Sequence, residues 1–156
     1  MTQTIIVADD HPLFRAALKQ AVSQAVPDAK TVEVDSIKAL QAAVESHPDA
    51  DLVLLDLNMP GAHGFSGLVF MRGQYPGLPV VVVSGSEEMQ VMRRSIDYGA
   101  SGFIPKSAPL PTITEAIQAV LEGDVWLPEG VADKICLLYT SPSPRDATLS
   151  RMPSSA

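Results

Sequence analysis

The chain has 156 residues, 46% of them hydrophobic, which suits one domain with a real core and leaves room for a tail. Its net charge of −7 argues against a broad nucleic-acid-binding surface, because phosphate neutralisation needs clustered Lys and Arg. Cys136 is the single cysteine, no apolar run approaches the roughly 18 residues that span a bilayer, and the N-terminus has no signal-peptide pattern, so a reducing cytoplasm is the expected compartment.

The first element is a strand over Thr4–Ala8, and it runs straight into Asp9-Asp10. Leu13, Ala16, Ala17, Ala21 and Val22 then recur at helical spacing. A second strand is expected over 31–34. Ser36 stands as N-cap to a helix carrying Ile37, Leu40, Ala43 and Val44. The third strand, 52–55, delivers Asp56 and stops abruptly at Asn58-Met59-Pro60-Gly61. A third helix is expected over 65–74, before Pro76-Gly77. The fourth strand, 80–83, ends at Ser84. A helix from Ser86 follows, with Glu87 and Glu88 favouring its positive end and Gly99 stopping it. The fifth strand, 102–104, precedes Pro105-Lys106. The last helix bears Leu110, Ile113, Ile117, Val120 and Leu121 on one stripe and ends at Gly123.

Strand and helix alternate five times, and the middle strands are apolar throughout. That combination predicts an α/β fold, a doubly wound parallel sheet covered on both faces. In such sheets the loops after the strands' carboxyl ends collect at one edge, where ligands bind. Asp9, Asp10, Asp56, Ser84 and Lys106 all fall there. Residues 136–156 differ in kind: they are rich in Ser, Pro and Thr without apolar periodicity, so a disordered, non-native-looking tail is expected. The expected organisation is a domain over 1–123, a linker start over 124–135, and that tail.

Acids and a lysine arriving together at strand ends suit phosphoryl transfer. That reaction needs a nucleophile, a cation to spread charge over the moving group, and donors fixed where its oxygens will sit. Asp56 is the best nucleophile, read as an exposed carboxylate able to form an acyl phosphate. Asp9 and Asp10 supply a hard oxygen site for Mg²⁺. Crowded carboxylates repel each other by about 4 kcal/mol per close pair at an effective dielectric near 20, and a divalent cation removes that cost. Lys106 can pair first with Asp56 and later with a phosphoryl oxygen. The Ser84 hydroxyl can serve another oxygen.

These residues, namely Ala8-Asp9-Asp10-His11-Pro12-Leu13-Phe14-Arg15, Asp56-Leu57-Asn58-Met59-Pro60-Gly61, Ser84 and Pro105-Lys106 in order, resemble the receiver domain of two-component response regulators. Phe14-Arg15 and the ending from Gly123 to Pro128 look most like the NarL-like group, whose members carry a LuxR-type helix-turn-helix output. The resemblance implies a flavodoxin-like five-stranded sheet in the order 2-1-3-4-5. It implies that Asp56 is the phosphoacceptor, that Asp10, Asp56 and the backbone carbonyl of Asn58 bind Mg²⁺ directly, and that Asp9 acts through metal-bound water. Ser84 and Phe103 match the family's switch pair, whose hydroxyl swings toward the phosphoryl group while the aromatic ring moves inward. The implied donor is a sensor histidine kinase, with homodimerisation as a further implied association and no membrane partner. The family often follows its lysine with proline. Here Ser107 follows Lys106 and Pro105 precedes it.

The expected function is thus a phosphorylation-switched receiver, not an enzyme acting on an external substrate. Nothing after Trp126 has the length or periodicity of a helix-turn-helix, so specific DNA binding is expected only of an output domain outside this chain. Two rivals are a pseudo-receiver serving as an interaction or dimerisation module and a phosphatase of the haloacid dehalogenase type. The phosphatase wants a second Asp two residues after its nucleophile, where this chain has Asn58. A flavodoxin-like electron carrier is opposed by Asp9-Asp10, which would repel a flavin phosphate. Several residues read more simply. His11, beside Pro12 at a helix start, reads as structural; His47 and His63 as loop residues; Met89 and Met92 as packing; Arg93-Arg94 as a solvated face. Trp126 either covers the end of the last helix or packs on an output domain.

Overall fold

The computed structural model describes residues 3–57, 65–86 and 88–128. Five strands, β1 (Thr4–Ala8), β2 (Lys30–Val34), β3 (Leu52–Asp56), β4 (Val80–Ser84) and β5 (Gly102–Pro105), alternate with five helices. The helices are α1 (Pro12–Ala25), α2 (Ile37–Ser46), α3 (Ser66–Gln74), α4 (Met89–Asp97) and α5 (Leu110–Leu121). All strand pairs are parallel, in the order β2-β1-β3-β4-β5. Fold class and strand order are as the sequence and its resemblance predict.

The apolar runs of the central strands are explained by their two covered faces. Successive side chains point to opposite sides of the sheet. Ile6, Ala8, Val53, Leu55, Val80, Val82 and Phe103 therefore join one core with Leu40 and Val44 of α2, Leu68 and Met71 of α3, and Met92 of α4. Ile5, Val7, Leu52, Leu54, Val81, Val83 and Ile104 join the other, with Leu18 and Val22 of α1 and Ile113, Ile117 and Val120 of α5. Burying each large side chain contributes about 1.5–3 kcal/mol before the entropy of ordering it.

Local signals set most element ends. Pro12 opens α1, where its missing N–H costs nothing. Ser36 accepts a hydrogen bond from the Ala39 N–H, as an N-cap should. Gly99 follows α4 with φ +98°, a conformation that favours glycine.

Two expectations need correction. The α1 stripe does not include Leu13, which is 90% exposed, nor Ala16, which is also exposed; Leu18, Ala21 and Val22 face the sheet instead. In the first turn of α1, Leu13 faces solvent while Phe14 packs partly against the core. Helix α4 begins at Met89 rather than Ser86. The Ser84 hydroxyl accepts the Ser86 N–H and the Ser86 hydroxyl accepts the Glu88 N–H, while Glu88 keeps an extended backbone. Serine turns of this kind compete with helix and delay its start. Glu87 lies outside the described residues, as do Asn58 to Gly61, His63 and the 136–156 segment.

Candidate functional site

At the carboxyl edge of the sheet, β1 and β3 are direct neighbours, with Ala8 opposite Leu55. Their next residues, Asp9 and Asp56, are thereby carried to adjoining positions, and both are fully buried. This corrects the expectation of an exposed Asp56. The burial has a physical source in the side chains that converge on it: Lys106 Nζ lies 3.1 Å from Asp56 Oδ2, and His11 Nδ1 lies 3.5 Å from the same oxygen.

Lys106 arrives from the far side. Its backbone N–H donates to the carbonyl of Ser84 at 2.8 Å, which fixes the loop after β5 against the end of β4. There are no cis peptides among the described residues, so the Lys106-Ser107 bond is trans. The ammonium lies 3.7 Å from Asp9 Oδ2 and 5.2 Å from the centre of the Phe14 ring. One cation thus serves two buried acids while an aromatic face covers its open side. Ser84 is buried and its hydroxyl is engaged with Ser86 N–H. Phe103 is fully buried in the core shared with α4, so its ring already points inward.

Asp9 is held from several directions. The His11 N–H donates to its Oδ1 at 2.6 Å, and Arg15 Nη1 donates to its backbone carbonyl at 2.9 Å. Burial nevertheless pushes its carboxyl above the ordinary carboxylate range, opposed by the His11 N–H and the Lys106 charge and reinforced by the negative charge of Asp56. Its Oδ2 is buried without a hydrogen-bond partner, and so is Asp10 Oδ1. Oxygens left in that state ordinarily cost free energy.

Asp9, Asp10, His11 and Asp56 each offer a ligand atom, and these atoms lie within 4.8 Å of one another. Orphaned carboxylate oxygens gathered at that spacing fit a hard divalent cation such as Mg²⁺. The sequence-predicted residues Asp9, Asp10, Asp56 and Lys106 are therefore brought together, and Ser84 lies at the adjoining strand end. Sequence reasoning missed two contributors. His11 was read as structural and Phe14 only as a family marker. Their position one and four residues after the acid pair is the available signal.

The family model for the response regulator receiver domain matches residues 5–118. The chain is 43% identical over 127 residues to the glycerol metabolism activator of Pseudomonas putida, covering 81% of this chain and 58% of that protein. It is 32% identical over 128 residues to the nitrate/nitrite response regulator protein NarL of Escherichia coli K12, covering 82% and 59%. Among solved structures, a LuxR family DNA-binding response regulator from Silicibacter pomeroyi superposes with TM-score 0.71 at 31% identity, covering 81% of this chain and 98% of that one. The receiver domain of a putative response regulator NarL from Mycobacterium tuberculosis gives 0.69 at 28% identity, covering 78% and 98%. The chain spans about three fifths of the length of these curated relatives. With its sheet order, its acid-lysine edge and this family match, the chain belongs to the response regulator receiver domain family, among relatives of the NarL and LuxR type.

Proposed function

We propose that Asp56 is a phosphoacceptor, taking a phosphoryl group from the phosphohistidine of a sensor kinase. In that transfer a carboxylate oxygen of Asp56 forms the new P–O bond, the donor's P–N bond breaks, and the donor imidazole recovers its electron pair and a proton. The observation that carries the reading is the convergence of buried Asp56 with Asp9 and Lys106 at one strand edge. Lys106, now on Asp56 Oδ2, follows the negative charge onto a phosphoryl oxygen. Asp10 and Asp56 would hold Mg²⁺ directly and Asp9 through water, with Asn58 contributing from outside the described residues. The ion supplies charge neutralisation at the carboxylates and at the transferred group.

Ser84 and Phe103 form the proposed switch. The Ser84 oxygen accepts the Ser86 N–H while its O–H stays free to donate to a phosphoryl oxygen, so a shift of this hydroxyl toward the phosphoryl group would pull on the turn that leads into α4. The phosphoryl charge thereby biases the surface made by α4, β5 and α5. The DNA-binding description of the Silicibacter pomeroyi relative supports a transcriptional output in a longer protein. Homodimerisation through the switched surface completes the proposal.

Intact-mass measurement after incubation with acetyl phosphate and Mg²⁺ tests it. One phosphoryl adduct is expected on the parent and none on Asp56→Asn. An unmodified parent, or an equally modified variant, overturns the assignment.

A further inference from the structure

Two contacts of Arg15 take no part in the chemistry proposed for the acids, yet they bear on the same turn. Its Nη1 donates to the Asp9 carbonyl at 2.9 Å, and its Nε lies 3.2 Å from Glu33 Oε1 on β2. Glu33 is also held by Lys19, whose Nζ lies 3.4 Å from Oε2. Helix geometry sets the reach. Arg15 stands one turn into α1, its N–H on the His11 carbonyl, and long helical side chains lean back toward the N-terminus. The guanidinium is a rigid fork of donors, so one Arg can hold a carbonyl and a carboxylate together, each contact orienting the other.

The carbonyl it holds is the informative one. A peptide is planar, so fixing the Asp9 oxygen fixes the whole Asp9-Asp10 plane and the direction in which the Asp10 Cα leaves it. The other side of Asp9 is pinned to the same strand, its N–H donating to the Val34 carbonyl at 3.0 Å. The turn that carries both acids is thus fastened to the consecutive residues Glu33 and Val34. Asp9 Oδ2 and Asp10 Oδ1 are buried without hydrogen-bond partners and stand close to Asp56. Carboxylates so placed repel one another, and a backbone free to rotate would let them turn apart before a cation arrives.

We propose that Arg15, anchored on Glu33, is a positioning residue for the divalent-ion site: it sets the Asp9-Asp10 turn so that both carboxylates are presented before the ion binds. This rests on the acid site of the preceding proposal. Arg15 acts through the backbone rather than by touching the ion or the phosphoryl group, and it makes the edge strand β2 part of the site.

The sign of one effect tests it. Arg15 is a positive charge beside the acids, so if charge were its only influence, Arg15→Gln would tighten Mg²⁺ binding. Lost positioning does the reverse, since losing a group that orients ligands typically lowers metal affinity by about 10–100-fold. Calorimetric titration of the full chain with MgCl₂ should therefore show Arg15→Gln binding roughly tenfold more weakly than the parent. Arg15→Lys keeps the charge but cannot make both contacts, and should fall between them. Glu33→Gln should weaken binding in the parent and add little on the Arg15→Gln background, whereas a pure charge effect would add in full. A metal-free readout is the His11 amide, whose N–H donates to Asp9 Oδ1 at 2.6 Å. In chelator its hydrogen exchange should quicken roughly tenfold in Arg15→Gln.

An Arg15→Gln protein that is folded by circular dichroism and binds Mg²⁺ as tightly as the parent, or more tightly, overturns the proposal, as does an unchanged His11 exchange rate. Either result leaves the acid site standing when the parent binds Mg²⁺, and a parent that binds none overturns that site as well. If Arg15→Gln unfolds, Arg15→Lys makes the comparison at constant charge, and an affinity equal to the parent's overturns the proposal.

Discussion

Asp51 and Asp56 bracket the same strand and live opposite lives. Asp51, just before β3, accepts the Thr4 N–H on its carboxylate at 3.0 Å and donates its own N–H to the Thr4 carbonyl at 2.8 Å. It closes an orphaned strand end with matched donors and acceptors. Asp56, at the other end of β3, is packed beside another buried acid and shares the Lys106 ammonium with it. The amino edge of the sheet is finished as structure. The carboxyl edge keeps unbalanced negative charge and unpaired oxygens, and so carries chemistry at a cost in stability.

Breaking the comparison at its widest point means exchanging the outcomes of the two acids. Asp51→Ala should accept a phosphoryl group from acetyl phosphate as fully as the parent, whereas Asp56→Asn accepts none. An intact-mass assay in which Asp51→Ala also fails would erase the functional difference between the edges.

The next largest effect concerns stability with opposite signs. Asp9→Asn should stabilise the protein in chelator by on the order of 1–3 kcal/mol in urea unfolding, since it removes a buried charge while its amide can donate to a neighbouring carboxylate. Its gain should depend on pH. Because burial raises the folded Asp9 carboxyl above the ordinary aspartate value, its contribution is fully present below that ordinary value and is lost as pH rises through the folded pKa. The difference between Asp9→Asn and parent should therefore be small near pH 4, grow upward, and then level off.

Asp51→Ala should instead destabilise by about 1–2 kcal/mol, having lost a charge-assisted bond to Thr4. Least direct is the effect of Mg²⁺ on the parent, which scales with loading: about 2.7 kcal/mol at a hundredfold excess over its dissociation constant and under about 1 kcal/mol near that constant, and Asp9→Asn should blunt the resulting rise in Tm.

Much of this division was legible in the chain. Continuous runs such as LVLL could be placed in a two-faced sheet because only full burial tolerates them, and the acids could be placed because each follows such a run. What escaped depends on directions in space. The sequence does not reveal which face of the first turn of α1 meets the sheet, so Leu13 reads as core and His11 as a mere helix start. Nor does it reveal that a carboxylate at a strand end will be roofed by side chains from α1 and the β5 loop. The delayed start of α4 turned on which hydroxyl captured which N–H, a contest between local bonds of similar strength.

Trp126 answers its own open question in favour of this domain. Its N–H donates to the Ser101 carbonyl and its carbonyl accepts the Phe103 N–H, forming a parallel bridge with Gly102. A Cβ on Gly102 would stand 3.0 Å from the Trp126 carbonyl oxygen, so the approach depends on glycine there. The two margins of the sheet are thus guarded differently. On β2, Glu33 is flanked by Arg15 and Lys19, a charged border that discourages another strand from pairing. On β5 the chain covers its own border with Trp126, which occupies hydrogen-bonding groups that a foreign strand would otherwise seek. Cutting the protein at Gly123 would uncover that border and invite self-association, so a soluble fragment should be ended beyond Trp126.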